Sequence, residues 1–457
     1  MSPAPRRHTA SPTGLRRRLV LVPLVLLALA ACGDDTSDAG AANNGTANNG
    51  TANNGAANNG ANNGTNNGVI PDSDHLRDPL PAADATQWNM FRQDARRWGF
   101  ARGSQVGPRV EELWRIDDFD TTEYGAAKGS PSVVDGVVYA GSDTGLVYAV
   151  DADTGEERWK VQIEGTSQGI HGSPAIIGDL VYIGAYNGTM YALDKPTGAR
   201  VWETNLGFQI GSSPALVPEW GMLYTSNERS AQGGGHVAGF DARTGEVVWE
   251  WNIQAHPHSS VAVDPTRFML FVGDNLAIIH AFDVLTGEKV WFQQLDQSVA
   301  EADIKTTPTV VPDKGLVIFG AWSKKVHAYD EDTGELVWEV PTGSNIMGSS
   351  AYAPGLERIF VGSFDRKLYA LGVEDGQQAW AFDVGSGIMS SPAVSGDEGA
   401  VVFGANNGEL YAVDADSGDL IWSHTVGGQV TGSPALVGDR IFVTSRRGPL
   451  VALRTFE

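Results

Sequence analysis

The chain has 457 residues, of which 32 are basic and 55 are acidic, and its formal net charge at pH 7 is −23. Such an acidic balance should repel nucleic acid, so we expect no nucleic-acid partner. The single cysteine, Cys32, excludes an intrachain disulfide and a cysteine metal cluster. With 42% hydrophobic residues, the chain has ample material for a core.

Residues 1–31 resemble a bacterial lipoprotein signal peptide. Five arginines precede the apolar run Leu19–Ala30, which is too short to be a stable membrane-spanning helix. Leu29-Ala30-Ala31-Cys32 then resembles a lipobox, in which the signal peptide is cut before the cysteine and the cysteine is acylated. We therefore predict that acylated Cys32 anchors the chain to a lipid bilayer. Ordinary signal-peptidase cleavage nearby is the alternative.

Gly33, rather than an aspartate, follows the cysteine, and this favours the outer membrane over the inner one. The periplasmic side is favoured, with surface display as the alternative. Residues 33–68 consist largely of Asn-Asn-Gly repeats, which cannot bury a core and are predicted to be a disordered tether. A flexible coil of about 36 residues reaches roughly 30–36 Å. An aggregation-prone tract is the alternative.

From Ser130 onward the sequence repeats. Ser130–Trp159 starts with Ser-Pro, alternates apolar and other residues between Gly-containing turns, and ends with Thr-Gly and a tryptophan. These signals predict four antiparallel strands in about 43 residues, which is typical of one propeller blade. The later copies are Ser173–Trp202, Ser213–Trp249, Ser259–Trp291, Thr307–Trp338, Ser349–Trp380, Ser391–Trp422 and a last copy that starts at Ser433.

The last copy lacks a fourth strand and a tryptophan. Val110–Ile116 has the missing pattern and supplies Trp114. We therefore predict an all-β fold, an eight-bladed propeller of four-stranded antiparallel blades whose ring is closed by an N-terminal strand. Closure removes an open sheet edge. The predicted domains are a signal peptide (1–31), a lipidated cysteine with a disordered linker (32–84) and the propeller (85–457), with seven blades plus a separate strand as the alternative.

Residues that recur in every copy are predicted to be scaffold. A tryptophan that appears once per blade should pack between neighbouring blades. The recurring aspartate, such as Asp151, should bind backbone amides of its own turn. We therefore predict no catalytic residue, no bound cofactor and no metal ligand.

The motif Tyr-Ala-x-Asp-x-x-Thr-Gly-x-x-x-Trp (Tyr148–Trp159) and the leading segment Trp88–Asp94 resemble the pyrroloquinoline-quinone (PQQ) repeat family. One branch contains the quinoprotein alcohol and glucose dehydrogenases. That branch implies PQQ stacked on a tryptophan and often on adjacent cysteines, with Ca²⁺ held by Glu, Asn and Asp and with an Asp base. The other branch contains BamB-like outer-membrane assembly lipoproteins. The single cysteine and the lack of a convincing ligand set favour the second branch.

The resemblance therefore predicts a membrane-anchored scaffold lipoprotein that is not an enzyme and that binds a protein partner such as a β-barrel assembly complex. A PQQ-dependent dehydrogenase and a surface-displayed ligand or carbohydrate binder are the alternatives. The sequence contains no Gly-x-Ser-x-Gly, His-Glu-x-x-His or phosphate-loop motif.

Residues that do not recur are the candidates for recognition. In a propeller the first strands line a central channel, and the residue three before each Ser-Pro proline should lie at one end of it. Cationic side chains there would attract an anionic ligand or a partner's carboxylate, with simple solvation as the alternative. His256 and His258, which flank Pro257, could hold a metal but lack a third ligand. The positions are Lys128, His171, Gly211, Pro257, Lys305, Met347, Met389 and Thr431, and the candidate site comprises Lys128, His171, His258 and Lys305.

An insertion in the third copy is the second candidate surface, because loops on a rigid scaffold often carry recognition. Its predicted partner-contacting residues are Asn227, Glu228, Arg229 and His236. Trp220 and Trp322 lie outside the periodic set and could anchor a partner.

Overall fold

The computed structural model describes residues 74–121, 129–166, 169–228, 234–253, 255–296 and 302–457. The predictions for the signal peptide, Cys32, the tether, Lys128 and Arg229 concern residues outside these ranges. The helices found within the ranges are two single 3-10 turns, Pro218–Trp220 and Pro312–Lys314. In this part of the chain, no helix is long and apolar enough to span a membrane.

Strands account for most of the described chain. The first two are β1 Phe100–Ala101 and β2 Arg109–Ile116. Blades 1 to 4 contain β3 Ser132–Val134, β4 Val137–Gly141, β5 Leu146–Asp151, β6 Glu157–Gln162, β7 Ala175–Ile177, β8 Leu180–Gly184, β9 Thr189–Asp194, β10 Arg200–Asn205, β11 Ala215–Val217, β12 Met222–Asn227, β13 Gly235–Asp241, β14 Val247–Ile253, β15 Ala262–Asp264, β16 Met269–Gly273, β17 Ile278–Asp283 and β18 Lys289–Gln294. Blades 5 to 8 contain β19 Thr309–Val311, β20 Leu316–Gly320, β21 Lys325–Asp330, β22 Leu336–Pro341, β23 Ala351–Ala353, β24 Arg358–Gly362, β25 Lys367–Gly372, β26 Gln378–Asp383, β27 Ala393–Ser395, β28 Ala400–Gly404, β29 Glu409–Asp414, β30 Leu420–Thr425, β31 Ala435–Val437, β32 Arg440–Thr444 and β33 Leu450–Phe456.

The strands form eight sheets, each an antiparallel meander of four strands, so the predicted eight-bladed propeller is confirmed. The N-terminal strand β2 pairs antiparallel with the last strand, β33, with Arg109 opposite Phe456 and Ile116 opposite Leu450. This pairing gives blade 8 its fourth strand and confirms the predicted closure. Strand β1 adds in parallel to the first strand of blade 7.

The periodic tryptophans join neighbouring blades. Trp159 donates its indole N–H to the Lys195 carbonyl of the next blade at 2.8 Å, and its ring lies where a Cβ on Gly198 would collide with it. Seven of the eight periodic tryptophans donate such a bond, over 2.8 to 3.3 Å. The Asp151 carboxylate accepts the amides of Asp153 and Thr154 in its own turn. Both kinds of residue are therefore scaffold.

A closed ring of hydrogen bonds explains the serine of the Ser-Pro start. In every blade the amide of this residue donates to the hydroxyl of its equivalent in the next blade, over 2.8 to 3.2 Å. The fourth-blade member is Ser260, so the copy boundary predicted at Ser259 is wrong by one residue. The eight members are Ser130, Ser173, Ser213, Ser260, Thr307, Ser349, Ser391 and Ser433.

Residues 88–105, which we call the strap, cross the inner strands of the blades. Backbone bonds join Trp88 to Val133 in blade 1 and Asn89 to Ile176 in blade 2. Further along, Ala95, Arg96, Trp98 and Gly99 accept the amides of Val263, Val310, Tyr352 and Val394 in blades 4 to 7, and Gln105 donates to Gly438 in blade 8. The strap therefore occupies the centre of the ring at the level of the first strands.

Two fully buried arginines fix the strap. Arg97 donates to the carbonyls of Val261, Phe91 and Ser213 at 2.9, 2.8 and 3.1 Å, which adds the contact with blade 3. Arg92 donates to the carbonyls of Ser350 and Pro392 in blades 6 and 7. Burial lowers the pKa of each guanidinium to about 9. The strap thus bonds to all eight blades.

Candidate recognition site at the channel mouth

At one end of the ring, the connection into each first strand meets the turn between the second and third strands. In each turn, one residue donates its backbone amide to a group in that connection. The amide of Tyr186 donates to Gly169, that of Glu228 to Gln209 and that of Trp322 to Asp303, over 2.8 to 3.2 Å. We call this end the mouth, and the mouth residues are Asp143, Tyr186, Glu228, Asn275, Trp322, Phe364, Asn406 and Arg446.

The mouth residues differ in chemistry from blade to blade, whereas the residues around them repeat. Most follow by two positions the glycine that ends the second strand, as in Gly184 to Tyr186 and Gly320 to Trp322. Sequence reasoning included Glu228 as a loop residue and Trp322 as a possible anchor but missed this ring. The fixed distance from the glycine is the signal that could have found it.

Blades 2 to 4 bring four polar side chains together. The His171 ring lies 3.8 Å from the Tyr186 ring between centroids. The Tyr186 hydroxyl donates to Glu228 Oε2 at 2.8 Å, and His258 Nδ1 lies 3.8 Å from the same oxygen. Glu228 therefore connects the predicted channel-end residues His171 and His258 with the predicted partner loop.

Glu228 is ionised at neutral pH. Burial raises the pKa of its carboxyl, but the hydrogen bond and charge of His258, the charge of His171 and the Tyr186 hydroxyl outweigh burial and lower this pKa to about 2. A Cβ on Gly211 would lie 2.2 Å from Glu228 Oε1, so the glycine leaves room for the carboxylate. The predicted cationic spot thus contains a fixed negative charge in blade 3.

The register of blade 4 changes one predicted position. Because Ser260 is the ring member, the residue two before it, His258, takes the place assigned to Pro257. This places His258 in the same set as His171, Gly211 and Lys305.

Lys305 lies in blade 5, beside a different partner. Its Nζ is 3.7 Å from the centroid of the Trp322 ring and 3.4 Å from Asp303 Oδ2. The structure therefore divides the predicted cationic residues between two places, with the histidines around Glu228 and Lys305 on Trp322. Lys128, the fourth, lies outside the described residues.

The residues of the predicted partner loop also lie in different environments. Asn227 is fully buried, and its Oδ1 accepts the His236 amide at 2.7 Å, which closes the base of the insertion. Glu228 turns into the mouth. Trp220, which was predicted with Trp322 as a possible anchor, is 1% exposed and stacks on Phe268 at 5.0 Å between centroids, so it is a core residue and cannot anchor a partner.

Two mouth residues carry buried polar atoms without a hydrogen-bond partner among the described residues, Trp322 Nε1 and Asn406 Oδ1. A buried group left unpaired is costly, so each is a candidate contact for a ligand. Phe364 lies between them in ring order, and a Cβ on Gly387 would touch both Phe364 and Asn406. Blades 5 to 7 thus offer an aromatic surface with a few polar contacts.

The first mouth residue is Asp143, whose amide donates to Asp120 Oδ1 at 3.0 Å. Asp120 is 2% exposed. Burial, together with the neighbouring Asp143 carboxyl, raises the pKa of Asp120 to about 8. Asp120 therefore holds its proton to higher pH than an ordinary aspartate does, at the seam where blade 8 meets blade 1.

The donor atoms at the mouth can be compared with the PQQ and calcium set that the dehydrogenase branch implies. Within the described ranges, no three or more His, Cys, Asp or Glu side chains are placed to hold a metal ion. Cys32 is the only cysteine of the chain and cannot form an adjacent pair. The residues therefore do not fit that cofactor set.

Comparison with known proteins places the chain in a family. The sequence model described as "Outer membrane protein assembly factor BamB" matches residues 104–280, 193–362 and 275–456. The chain belongs to this family of PQQ-like repeat propellers. These matches span the propeller from the end of the strap to the last strand.

Solved structures share the fold at low sequence identity. A europium-containing methanol dehydrogenase has a TM-score of 0.69 and 14% identity, covering 81% of this chain and 98% of that one. The quinohemoprotein alcohol dehydrogenase of Comamonas testosteroni has a TM-score of 0.69 and 16% identity, covering 84% of each chain. BamB of Moraxella catarrhalis has a TM-score of 0.61 and 18% identity, covering 76% of this chain and all of that one.

One curated relative is an enzyme as well. Tetrathionate hydrolase of Acidithiobacillus ferrooxidans is 37% identical over 94 residues, which is 20% of this chain and 18% of that protein. The prediction that the chain is not an enzyme is therefore wrong. Compact blades and a single cysteine do not separate the scaffold proteins from the dehydrogenases and hydrolases with which the chain shares its fold or sequence.

Proposed function

We propose that the protein is a lipoprotein of the BamB type that binds a protein partner in the context of β-barrel assembly at the outer membrane. The observation that carries the proposal is the match to the assembly-factor family over the whole repeat array, residues 104–456. Acylated Cys32 anchors the chain, and the Asn-Gly tether holds the propeller away from the lipid on the periplasmic side. These parts of the proposal rest on the sequence.

The mouth is the proposed recognition surface. Its residues are the variable positions of an otherwise repeating scaffold, and recognition commonly uses such positions on rigid frameworks. Between the second and third strands, blade 1 has four residues (142–145), whereas blade 3 has seven (228–234). This places the longest turn beside Glu228.

Affinity purification from native membranes tests the proposal. The full-length protein, with a C-terminal tag, is extracted in mild detergent and its partners are identified by mass spectrometry. Co-recovery of an outer-membrane β-barrel assembly protein supports the proposal, and its repeated absence overturns it. Cys32→Ala is the control for anchoring, since it should move the protein from the membrane to the soluble fraction.

Catalysis at the mouth is the second candidate. The observation that favours it is the ionised Glu228 with Tyr186 and His258 on its carboxylate, because an imidazole beside a fixed carboxylate can accept and relay a proton. Dye-linked alcohol oxidation after addition of PQQ and Ca²⁺, and tetrathionate consumption, are the assays. Activity that Glu228→Gln abolishes supports this candidate, and inactivity in both assays removes these two reactions.

A further inference from the structure

The two oxygens of Glu228 have different surroundings. Oε2 accepts the Tyr186 hydroxyl and faces His258. Within the described residues no group donates a hydrogen bond to Oε1; this oxygen lies against the backbone of Gly211, and the Glu228 side chain is 16% exposed. One side of an ionised carboxylate is therefore available to a ligand.

We propose that the mouth binds a primary ammonium group of a partner polypeptide, a lysine side chain or a free amino terminus, at Glu228 Oε1. A guanidinium prefers both oxygens of a carboxylate in a two-pronged contact. Since Tyr186 occupies Oε2, the free oxygen suits the compact charge of an ammonium better. The net charge of −23 also favours a cationic partner over an anionic one.

The strap limits the direction from which such a group can enter the channel. Because residues 88–105 occupy the centre of the ring, a polypeptide cannot thread through the channel. The mouth instead accepts a group that enters and leaves by the same end, which is a chain terminus or a protruding side chain. An ammonium on an apolar stem meets both requirements.

The other half of the mouth suits that apolar stem. Trp322 and Phe364 present rings, and Met347 and Met389 occupy the channel-end positions of blades 6 and 7. Trp322 Nε1 and Asn406 Oδ1 can bind the carbonyl and amide of a peptide backbone, since each lacks a partner in the described chain. The ligand class is thus a basic, apolar peptide segment.

This inference deepens the proposed function, because it names the group that the partner presents. Calorimetry with the full-length protein in detergent tests it, using peptide amides of one apolar sequence. The first has a free amino terminus and no lysine, the second is acetylated with one lysine, the third has arginine in place of that lysine, and the fourth is acetylated and uncharged. The first or second peptide should bind about tenfold or more tightly than the fourth.

Three variants locate the contact. Glu228→Gln keeps the shape and removes the charge, and Gly211→Ala keeps the charge and displaces Oε1, so each should weaken binding of the ammonium peptide about tenfold or more. Glu164→Gln, an exposed carboxylate in the connection before blade 2, should leave it unchanged. Circular dichroism checks that each variant is folded.

Equal binding of the uncharged peptide, tighter binding of the arginine peptide, or unchanged affinity in Glu228→Gln would overturn the inference. Its failure differs from failure of the proposed function. If the assembly protein co-purifies with both wild type and Glu228→Gln, the function stands and the ammonium contact is wrong. If no assembly protein co-purifies but the peptide binds through Glu228, the contact stands and the function is wrong.

Discussion

The amide of Ser433 donates to Ser130 Oγ at 2.9 Å, although 303 residues separate them in sequence. This bond completes the ring of eight hydroxyl contacts around the channel. The pairing of β2 with β33 closes the same ring at the outer edge of blade 8, so closure involves both the inner and the outer strands of that blade.

Ser130→Ala should lower the free energy of unfolding by about 1–2 kcal/mol, because it leaves the buried Ser433 amide without an acceptor. Ser130→Thr is the matched control, since Thr307 fills the equivalent position in blade 5. It keeps the hydroxyl and should cost less. Denaturant unfolding followed by tryptophan fluorescence measures both, and equal losses would contradict the role of the hydroxyl.

Arg97→Met should destabilise the propeller by about 2–4 kcal/mol, because three buried carbonyls lose their donor. Arg102→Met lies on the same strap but changes an exposed side chain, and it should have little effect. Thermal unfolding of the two variants gives the comparison. If the buried Arg97 bonds do not stabilise the fold, Arg97→Met and Arg102→Met should lower the unfolding temperature by the same small amount.

Gly155→Ala should be more destabilising than Gly136→Ala. The two glycines have φ of 72° and 71°, so an alanine is strained by about 1–2 kcal/mol at either one. A Cβ on Gly155 would also lie 2.7 Å from the Trp114 ring, whereas a Cβ on Gly136 would touch nothing within 4 Å. The difference in unfolding free energy isolates the packing of the tryptophan, and equal losses would show that the ring moves aside freely.

The raised pKa of Asp120 predicts that the stability of the protein depends on pH. Its pKa is raised to about 8 in the folded protein from a model-peptide value of 3.8, so between these values the folded chain holds a proton that the unfolded chain has lost. Stability should therefore fall as pH rises from about 4 to about 8, by at most about 1.4 kcal/mol per pH unit for this group.

Asp120→Asn removes the proton exchange and should flatten the pH dependence. Asp118→Asn changes an exposed carboxylate two residues away and should leave the slope as it is. Denaturant unfolding of the three proteins between pH 5 and 8 measures the slopes. Parallel slopes in wild type and Asp120→Asn would show that Asp120 titrates alike in both states.

Periodicity made the scaffold predictable. Trp114 marked the closing strand because tryptophans must recur once per blade to fill the same gap. The start of the blade 4 copy was predicted one residue too early because Ser259 and Ser260 are adjacent and no proline follows them. The strap has no repeat, because Arg92 and Arg97 each face a different pair of blades. The mouth residues vary in chemistry; a fixed position after a glycine could reveal most of them, but Glu228 and Arg446 follow Ser226 and Thr444 instead.

The backbone of the strap bonds to seven blades in ring order, from Trp88 in blade 1 to Gln105 in blade 8, and the Arg97 side chain supplies the bond to blade 3. The bonds that the strap makes therefore match the number of blades in the ring. A ninth blade in this chain would have no strap residue to bond, and a seven-bladed version would leave part of the strap without a partner. The segment that precedes the repeats is thus matched to a ring of eight repeats.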